Sequence, residues 1–201
     1  MSGKGSGKKR SVVREYVEAA LWALVLTLFL RAFVIQAFRI PSESMLNTLL
    51  IGDFLFVNKF EYGPKIPFTH VRLPGLRPPQ RGDVIVFQYP QDPSKDFIKR
   101  CIGVGGDTLE VVETHVIVNG DTLREPYAVS EHRPFHKEQE RIVIPPGQLF
   151  MMGDNRDNSN DSRFWGTVPM DYVKGRAMFI YWSWDGERFR PRWSRLLRVI
   201  H

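Results

Sequence analysis

The sequence predicts a mainly β protein, an antiparallel β-sheet domain carried behind one N-terminal transmembrane helix. Three observations predict this class. A long apolar run lies near the N-terminus, short alternating segments bounded by turn residues fill the rest, and the basic excess is concentrated ahead of the apolar run. Of 201 residues, 43% are hydrophobic and 25% charged, globular values that exclude wholesale disorder and collagen-like repetition. Cys101 is the single cysteine, which excludes an intrachain disulfide and a zinc site built on paired cysteines. The formal charge of +6 invites a nucleic-acid reading, so its location matters. Lys4, Lys8, Lys9, Arg10 and Arg14 precede any acid, and without them 23 basic residues face 22 acidic ones. The body of the protein is nearly neutral, and nucleic acid is not an expected partner.

Residues 1–16, opening with MSGKGSGKKR, read as a flexible basic tail. Residues 17–38 read as the anchor. Ala19 to Leu30 carries no charge, and after Arg31 the apolar run resumes as AFVIQAF to Phe38. About twenty helical residues at 1.5 Å each match a hydrocarbon core of roughly 30 Å. A cleaved secretory signal has a similar basic start and apolar centre, but Ile35-Gln36-Ala37 is a poor cleavage site and Arg31 stands just before it. A helix buried in a soluble core is expected to be shorter. An uncleaved anchor fits best, with Arg31 reaching toward the headgroups. The basic cluster on its N-terminal side keeps that end in the cytoplasm. Residues 39–201 are then an extracytoplasmic domain touching membrane lipid.

Within that domain, strands are expected at Phe54–Val57, Val84–Tyr89, Phe97–Ile102, Thr108–Val112, Val116–Val118, Ile142–Ile144, Leu149–Met152 and Arg176–Trp182. Asn119-Gly120 is the signal of a two-residue hairpin, and Asp185-Gly186 is a second turn of the same kind. Half the prolines lie within 64–93, which reads as an extended, Pro-rich insertion. A helical turn or two is expected near Met45–Leu50.

Three segments hold candidate chemistry. In Ile40-Pro41-Ser42-Glu43-Ser44-Met45, two serines follow the anchor, and from this segment alone a helix cap explains them as well as a nucleophile does. In Asp96-Phe97-Ile98-Lys99-Arg100-Cys101, alternation puts Phe97, Lys99 and Cys101 on one face, with Ile98 and Arg100 on the other. A lysine between a phenylalanine and a cysteine is unusual, since lysine is rarely buried unpaired; the plain alternative is a protective charge on an edge strand. In Gly153 to Arg163, the density of Asp, Asn and Ser suits a loop whose side chains bond its own backbone. That loop fails as a calcium site, because Ser162 stands where the glycine belongs and no Glu closes it. His132 and His136 are separated by Pro134, which opposes the helix that would align them on a metal.

Taken together, PSESMLNTL after the anchor, RGDVIVF at 81–87, FIKRCIGVGGD at 97–107 and GDNRDNSNDSRFWGTVP at 153–169 resemble bacterial signal peptidase I in order and spacing. The resemblance covers the chain from the anchor to residue 182. It implies a Ser/Lys membrane endopeptidase that removes signal peptides from exported preproteins after small residues. The implied enzyme has a single anchor, needs no metal or other cofactor, and is expected to act as a monomer. Ser44 matches the nucleophile and Lys99 the general base. Ser42 matches the hydroxyl that joins the Ser44 N–H in the oxyanion hole, and Ser159 matches the serine that hydrogen-bonds and orients the lysine. Asp154, Asp161 and Arg163 match a supporting charged network. Phe38, Ile40, Pro41, Leu49, Val86 and Ile98 match shallow pockets for small side chains at positions −1 and −3. Glu43 departs from the glycine common at its position.

Physical chemistry makes these roles coherent. Serine needs a base to become a good nucleophile, and a lysine with its ordinary pKa near 10.4 is neutral in about one molecule in 2,500 at pH 7. Burial beside Phe97 favours the neutral amine. Two alternatives stay open at this level. One is another Ser/Lys protease of the same core, organellar or pilus-processing. The other is an anchored, non-enzymatic β module whose C-terminal arginines, interleaved with Phe189, Trp193, Leu196 and Leu197, contact lipid headgroups.

The basic tail ahead of Ala19 generates a topological expectation. Protease added outside intact spheroplasts should digest the C-terminal domain and spare the N-terminus. Protection of the domain with an accessible N-terminus overturns the orientation.

Overall fold

A computed structural model describes residues 12–66, 69, 71–113, 115–130 and 137–201. His132 and His136 lie outside the described residues, as does most of the basic tail. Helix α1 spans Val12–Phe29 and continues through one π-type turn at Leu30–Val34. This stretch of 23 residues is long and apolar enough to cross a membrane. None of its side chains is buried against the domain, and Trp22 is 74% exposed. A soluble core helix would bury at least one face, so the buried-helix reading fails.

Both ends of the anchor differ from the expected 17–38. At the start, residues 12–16 are helical and do not belong to a flexible tail. At the far end, Ile35–Arg39 is not helix but strand β1, paired antiparallel with β2 (Asp53–Asn58) from Ile35↔Asn58 to Arg39↔Phe54. Alternation of Ile35, Ala37 and Arg39 with Gln36 and Phe38 carries no helical stripe, and a neighbouring strand decides the outcome. The carbonyls exposed where the helix unwinds are met by Lys59 Nζ, which donates to Arg31 O at 3.0 Å and Ala32 O at 3.3 Å.

The remaining elements follow in order: β3 (Val84–Tyr89), β4 (Asp92–Val104), β5 (Thr108–Val112), β6 (His115–Val118), β7 (Asp121–Thr122), β8 (Gln139–Val143), β9 (Gln148–Met152), α2 (Ser162–Trp165), β10 (Val168–Pro169), β11 (Val173–Asp185), β12 (Arg190–Pro191) and β13 (Arg198–Val199). The described strands form an antiparallel nine-stranded sheet ordered β1-β2-β11-β3-β4-β9-β10, with β12 and β13 also on β11. A four-stranded sheet follows the order β7-β6-β5-β8. All eight expected strands are present, and β4 and β11 run longer than their apolar centres at 13 residues each. The Asn119-Gly120 hairpin joins β6 and β7, with both residues at positive φ (57° and 90°), the geometry of a tight primed turn. At Asp185 the turn is longer than expected: Asp185 pairs with Arg190 across four loop residues, and its Oδ1 accepts from the Glu187 and Arg188 amides.

The segment 64–93 is only partly the expected insertion. Its second half contains β3, which lies centrally between β11 and β4. No proline falls inside Val84–Tyr89, so that run keeps every amide for the sheet. Val84 and Val86 pack with Leu55, Val57, Ala177 and Ile180 on one face. Ile85 and Phe87 pack with Tyr62, Cys101 and Met151 on the other. A third core joins Ile102, Phe150 and Met152 to the small sheet through Leu109, Val111 and Val116.

Between β1 and β2 the chain folds back over the sheet as a series of turns. The helical turn expected near Met45–Leu50 reduces to one i→i+4 bond, Leu49 N to Met45 O at 2.7 Å, because Asn47 stands in the left-handed region at φ 77°. Met45 and Leu49 are fully buried and nail these turns to the core. At the return, Gly52 has φ 90°, donates to Ile40 O, and accepts from the Trp184 amide. A Cβ at Gly52 would lie 2.2 Å from Trp184 O. Gly52→Ala should therefore destabilise by about 2–4 kcal/mol, combining positive-φ strain with a backbone clash. Thermal unfolding of the detergent-solubilised protein checks this, and an unchanged midpoint contradicts it.

Candidate active site

Ser44 and Lys99 are 55 positions apart in sequence, yet Lys99 Nζ donates to Ser44 Oγ at 2.5 Å. Both are buried, at 8% and 4% exposure. Lys99 sits on β4, paired with β3 at Ile85, and its amine is buried on Ser44 and does not face solvent, so the explanation of its charge as surface protection does not hold. The expected face is correct: Phe97 and Cys101 pack in one core, and Lys99 Nζ lies 5.7 Å from the Phe97 ring centroid. Burial is the largest influence on the amine and holds its pKa at about 8, well below the usual lysine value. Arg163 acts in the same direction, while Asp161 and Asp154 oppose it.

Ser44 is positioned from both sides. Met45 anchors it to the core, and Ser44 O accepts from the Asn155 amide at 3.1 Å. The Ser44 amide donates to no backbone or side-chain acceptor among the described residues. It is a free donor within the same residue as the Ser44 hydroxyl. Ser42 Oγ lies 3.4 Å from Ser44 Oγ, so a second hydroxyl borders the same space.

Strand β9 ends at Met152, opposite Arg100, so residues 96–99 of β4 have no strand partner on that side among the described residues. A cavity of about 370 Å³ lies there, lined by Pro41, Ser42, Glu43, Ser44, Asp96, Phe97, Ile98, Lys99, Asn158 and Asn160. This resolves the conflict raised by alternation. Ile98 and Lys99 project to opposite faces yet both border the cavity, because it runs along the open edge of the strand. Of the other expected pocket residues, Pro41 lines the cavity. Ile40, Leu49 and Val86 are fully buried behind it, and Phe38 and Ile98 pack on that same core.

The charged network is present as two pairs. Asp154 accepts from Arg100 Nε and Nη2 at 2.8 and 2.7 Å and from Thr48 Oγ1 at 2.5 Å. Asp161 caps α2, accepts from Arg163 Nε and Nη2 at 2.8 Å each, and takes the Gly153 amide at 3.1 Å. Sequence reasoning missed the partners Arg100, Thr48, Arg156 and Glu125. Arg156 is bidentate to Glu125 at 2.7 and 2.6 Å, and Arg100 lies over Tyr127 at 3.8 Å. The available signal was an arginine between Ile98 and Ile102 in an otherwise apolar stripe.

Ser159 requires a correction. Its Oγ is buried and has no hydrogen-bond partner, so the expected bond to Lys99 is not formed. The amine is directed at Ser44, while Ser159 lies against Gly153, where a Cβ would meet Ser159 Oγ at 2.3 Å and Ser44 O at 2.4 Å. Gly153 thus packs against both the Ser44 backbone and the Ser159 side chain.

An antiparallel β domain behind one apolar helix, with a serine hydroxyl held against a buried amine, has the make-up of a membrane-anchored serine hydrolase. The model of the family described as "Signal peptidase, peptidase S26" matches residues 13–182, and the chain belongs to this family. It is a membrane serine endopeptidase that cleaves signal peptides. The signal peptidase I of Pseudomonas aeruginosa is 37% identical, covering 96% of this chain and 81% of that protein. A probable signal peptidase I-1 of Synechocystis is 39% identical over 92% of this chain and 87% of its own. The signal peptidase I of Aquifex aeolicus is 33% identical over 94% and 91%.

The packing at Gly153 generates a test. Gly153→Ala should lower kcat by about 10²-fold or more, because the added methyl displaces Ser44 or Ser159 by around an ångström. Turnover per molecule, with folding checked by circular dichroism, measures it. A folded variant with full turnover contradicts the close approach.

Proposed function

We propose that Ser44 is the nucleophile and Lys99 the general base of this peptidase, acting on the extracytoplasmic face of a bacterial plasma membrane. The observation that carries the proposal is the 2.5 Å contact between Lys99 Nζ and Ser44 Oγ in a site from which both are nearly excluded from water. The neutral amine takes the Ser44 proton as Oγ attacks the scissile carbonyl carbon. The oxyanion accepts hydrogen bonds from the Ser44 N–H and the Ser42 hydroxyl, which together contribute several kcal/mol in the transition state. The C–N bond then breaks, and the Lys99 ammonium returns its proton to the leaving amine. Water, deprotonated by Lys99, hydrolyses the acyl ester and restores Ser44. Ser159 has a free hydroxyl to offer the ammonium as charge develops. Asp154, Asp161 and Arg163 keep the surrounding loop in place.

The substrate lies extended along the open edge of β4, adding a strand where β9 ends. Side chains at −1 and −3 meet Pro41 and Ile98, over a floor of Ile40, Leu49 and Val86 and beside Phe38. That floor is already packed, so it admits small side chains after the Ala-x-Ala pattern and rejects large ones. An exported preprotein held by its own apolar segment, and an enzyme held by α1, meet at one depth, which supplies proximity. One chain carries the whole constellation, consistent with action as a monomer.

Lys99 works when neutral, so activity is lost as pH falls below its pKa and recovered as pH rises through it. kcat/KM against pH should show a limb near 8, decreasing about tenfold per unit below it. Ser44→Ala and Lys99→Ala should each remove nearly all activity, the double variant little more. Lys99→Arg should not restore it, since guanidinium stays protonated. Cleavage of an Ala-x-Ala precursor in detergent reads all four. A folded Lys99→Ala protein with full turnover eliminates the dyad.

A further inference from the structure

The catalytic cavity carries a charge that the hydrolysis above does not use. Its ionisable lining is Glu43, Asp96 and Lys99. Lys99 is committed to Ser44. Asp96 is committed to Lys174, whose Nζ donates to its Oδ2 at 2.7 Å. Glu43 is different. Its backbone is fixed, with its carbonyl accepting from the Leu46 amide at 2.9 Å and from Asn155 Nδ2 at 3.3 Å. Its exposed carboxylate makes no hydrogen bond or ion pair among the described residues. An unpaired carboxylate is ordinary on a protein surface, where water solvates it. Here it borders the space a substrate must enter, one residue before the nucleophile, on a turn held by Asn155. Beyond Ser44 and Lys99, the polar groups lining that space are Ser42 and the neutral amides Asn158 and Asn160. With the dyad amine in its working neutral form, the fixed charge around the cavity is negative.

We propose that the mouth of the catalytic cavity is a subsite for a cationic substrate side chain, with Glu43 as its acceptor. The proposal rests on Ser44 as the reaction centre and extends that reading to substrate charge. An extended peptide advances about 3.3–3.6 Å per residue, so a side chain within two residues of the scissile bond starts within about 7 Å of Ser44. Lysine or arginine there reaches Glu43 and keeps its ammonium or guanidinium partly in water. Glutamate at the same place faces repulsion. The small pockets for −1 and −3 accept no long side chain, which leaves −2, +1 and +2 as the positions that sense this charge. The subsite therefore discriminates on charge where the apolar pockets discriminate on size.

The test uses the full-length protein in nonionic detergent and peptides sharing one Ala-x-Ala parent, with Lys, Gln or Glu placed in turn at −2, +1 and +2. At low salt, kcat/KM at one of these positions should favour Lys over Glu by roughly tenfold, the sum of an exposed attraction and a like-charge repulsion. The ratio should shrink in 0.5 M salt, as exposed charges are screened. Glu43→Gln should reduce it below about threefold and Glu43→Lys should invert it; Asp96→Asn should move it less. Comparing peptides within one variant cancels any effect of the substitution on the dyad. Equal rates for Lys and Glu at all three positions, or a preference untouched by both Glu43 variants, overturn the subsite and leave the proposed activity standing. Failure to cleave the parent peptide overturns both.

Discussion

The proposed dyad depends on keeping one amine away from water and away from a carboxylate. Either would hold Lys99 protonated, and a protonated lysine cannot take a proton from serine. Packing excludes most of the water: β3 flanks β4 at Lys99, and Phe97 lies beside the amine from the adjoining position on its face. The carboxylates are dealt with by pairing. Asp154 and Asp161 are fully buried close enough to influence Lys99, and each is occupied by an arginine, Arg100 and Arg163. Removing either arginine would leave a buried carboxylate in search of a cation, at about 3–5 kcal/mol, and Lys99 is the cation at hand. The dense charge of the loop thus serves neutrality at its centre.

Assembly draws on distant parts of the chain. Ser44 arrives on the turns between β1 and β2, Lys99 on β4, and the close wall on the loop after β9. Asn155 joins them, its amide on Ser44 O and its side chain on Glu43 O. Gly153 lets the loop approach without a side chain between. Thr48 ties the same turns to the Asp154 pair. Rigid support from strands on either side gives the serine a fixed direction without any helix behind it.

Much of this was legible in the residues. Short alternating runs gave the strands, because burial on alternate sides imposes a period of two that local sequence alone displays. Lys99 stood out because it occupies an apolar face. What stayed hidden was long-range. Ile35–Arg39 reads as the tail of an apolar helix until β2 is beside it. Val84–Tyr89 is surrounded by prolines whose composition suggests a loop, yet it is central in the sheet. The partners of Asp154 and Arg156 lie 54 and 31 positions away, and periodicity carries no information at that separation. The Ser159 hydroxyl depends on side-chain geometry within a loop, where no pattern reaches.

The passage from anchor to sheet has a mechanical meaning. The π-type turn at Leu30–Val34 runs directly into β1 with no linker between, and Lys59 grips the last helical carbonyls. β1 then leads through Ile40 and Pro41 to Ser44. Anchor and catalytic centre are coupled as a bent lever with a stiff elbow. A helix adapts to bilayers of different thickness chiefly by tilting, and through this elbow a change of tilt swings the sheet. The height and attitude of the cleft over the lipid surface are therefore set by bilayer thickness, and lengthening the elbow by a few flexible residues would uncouple the two.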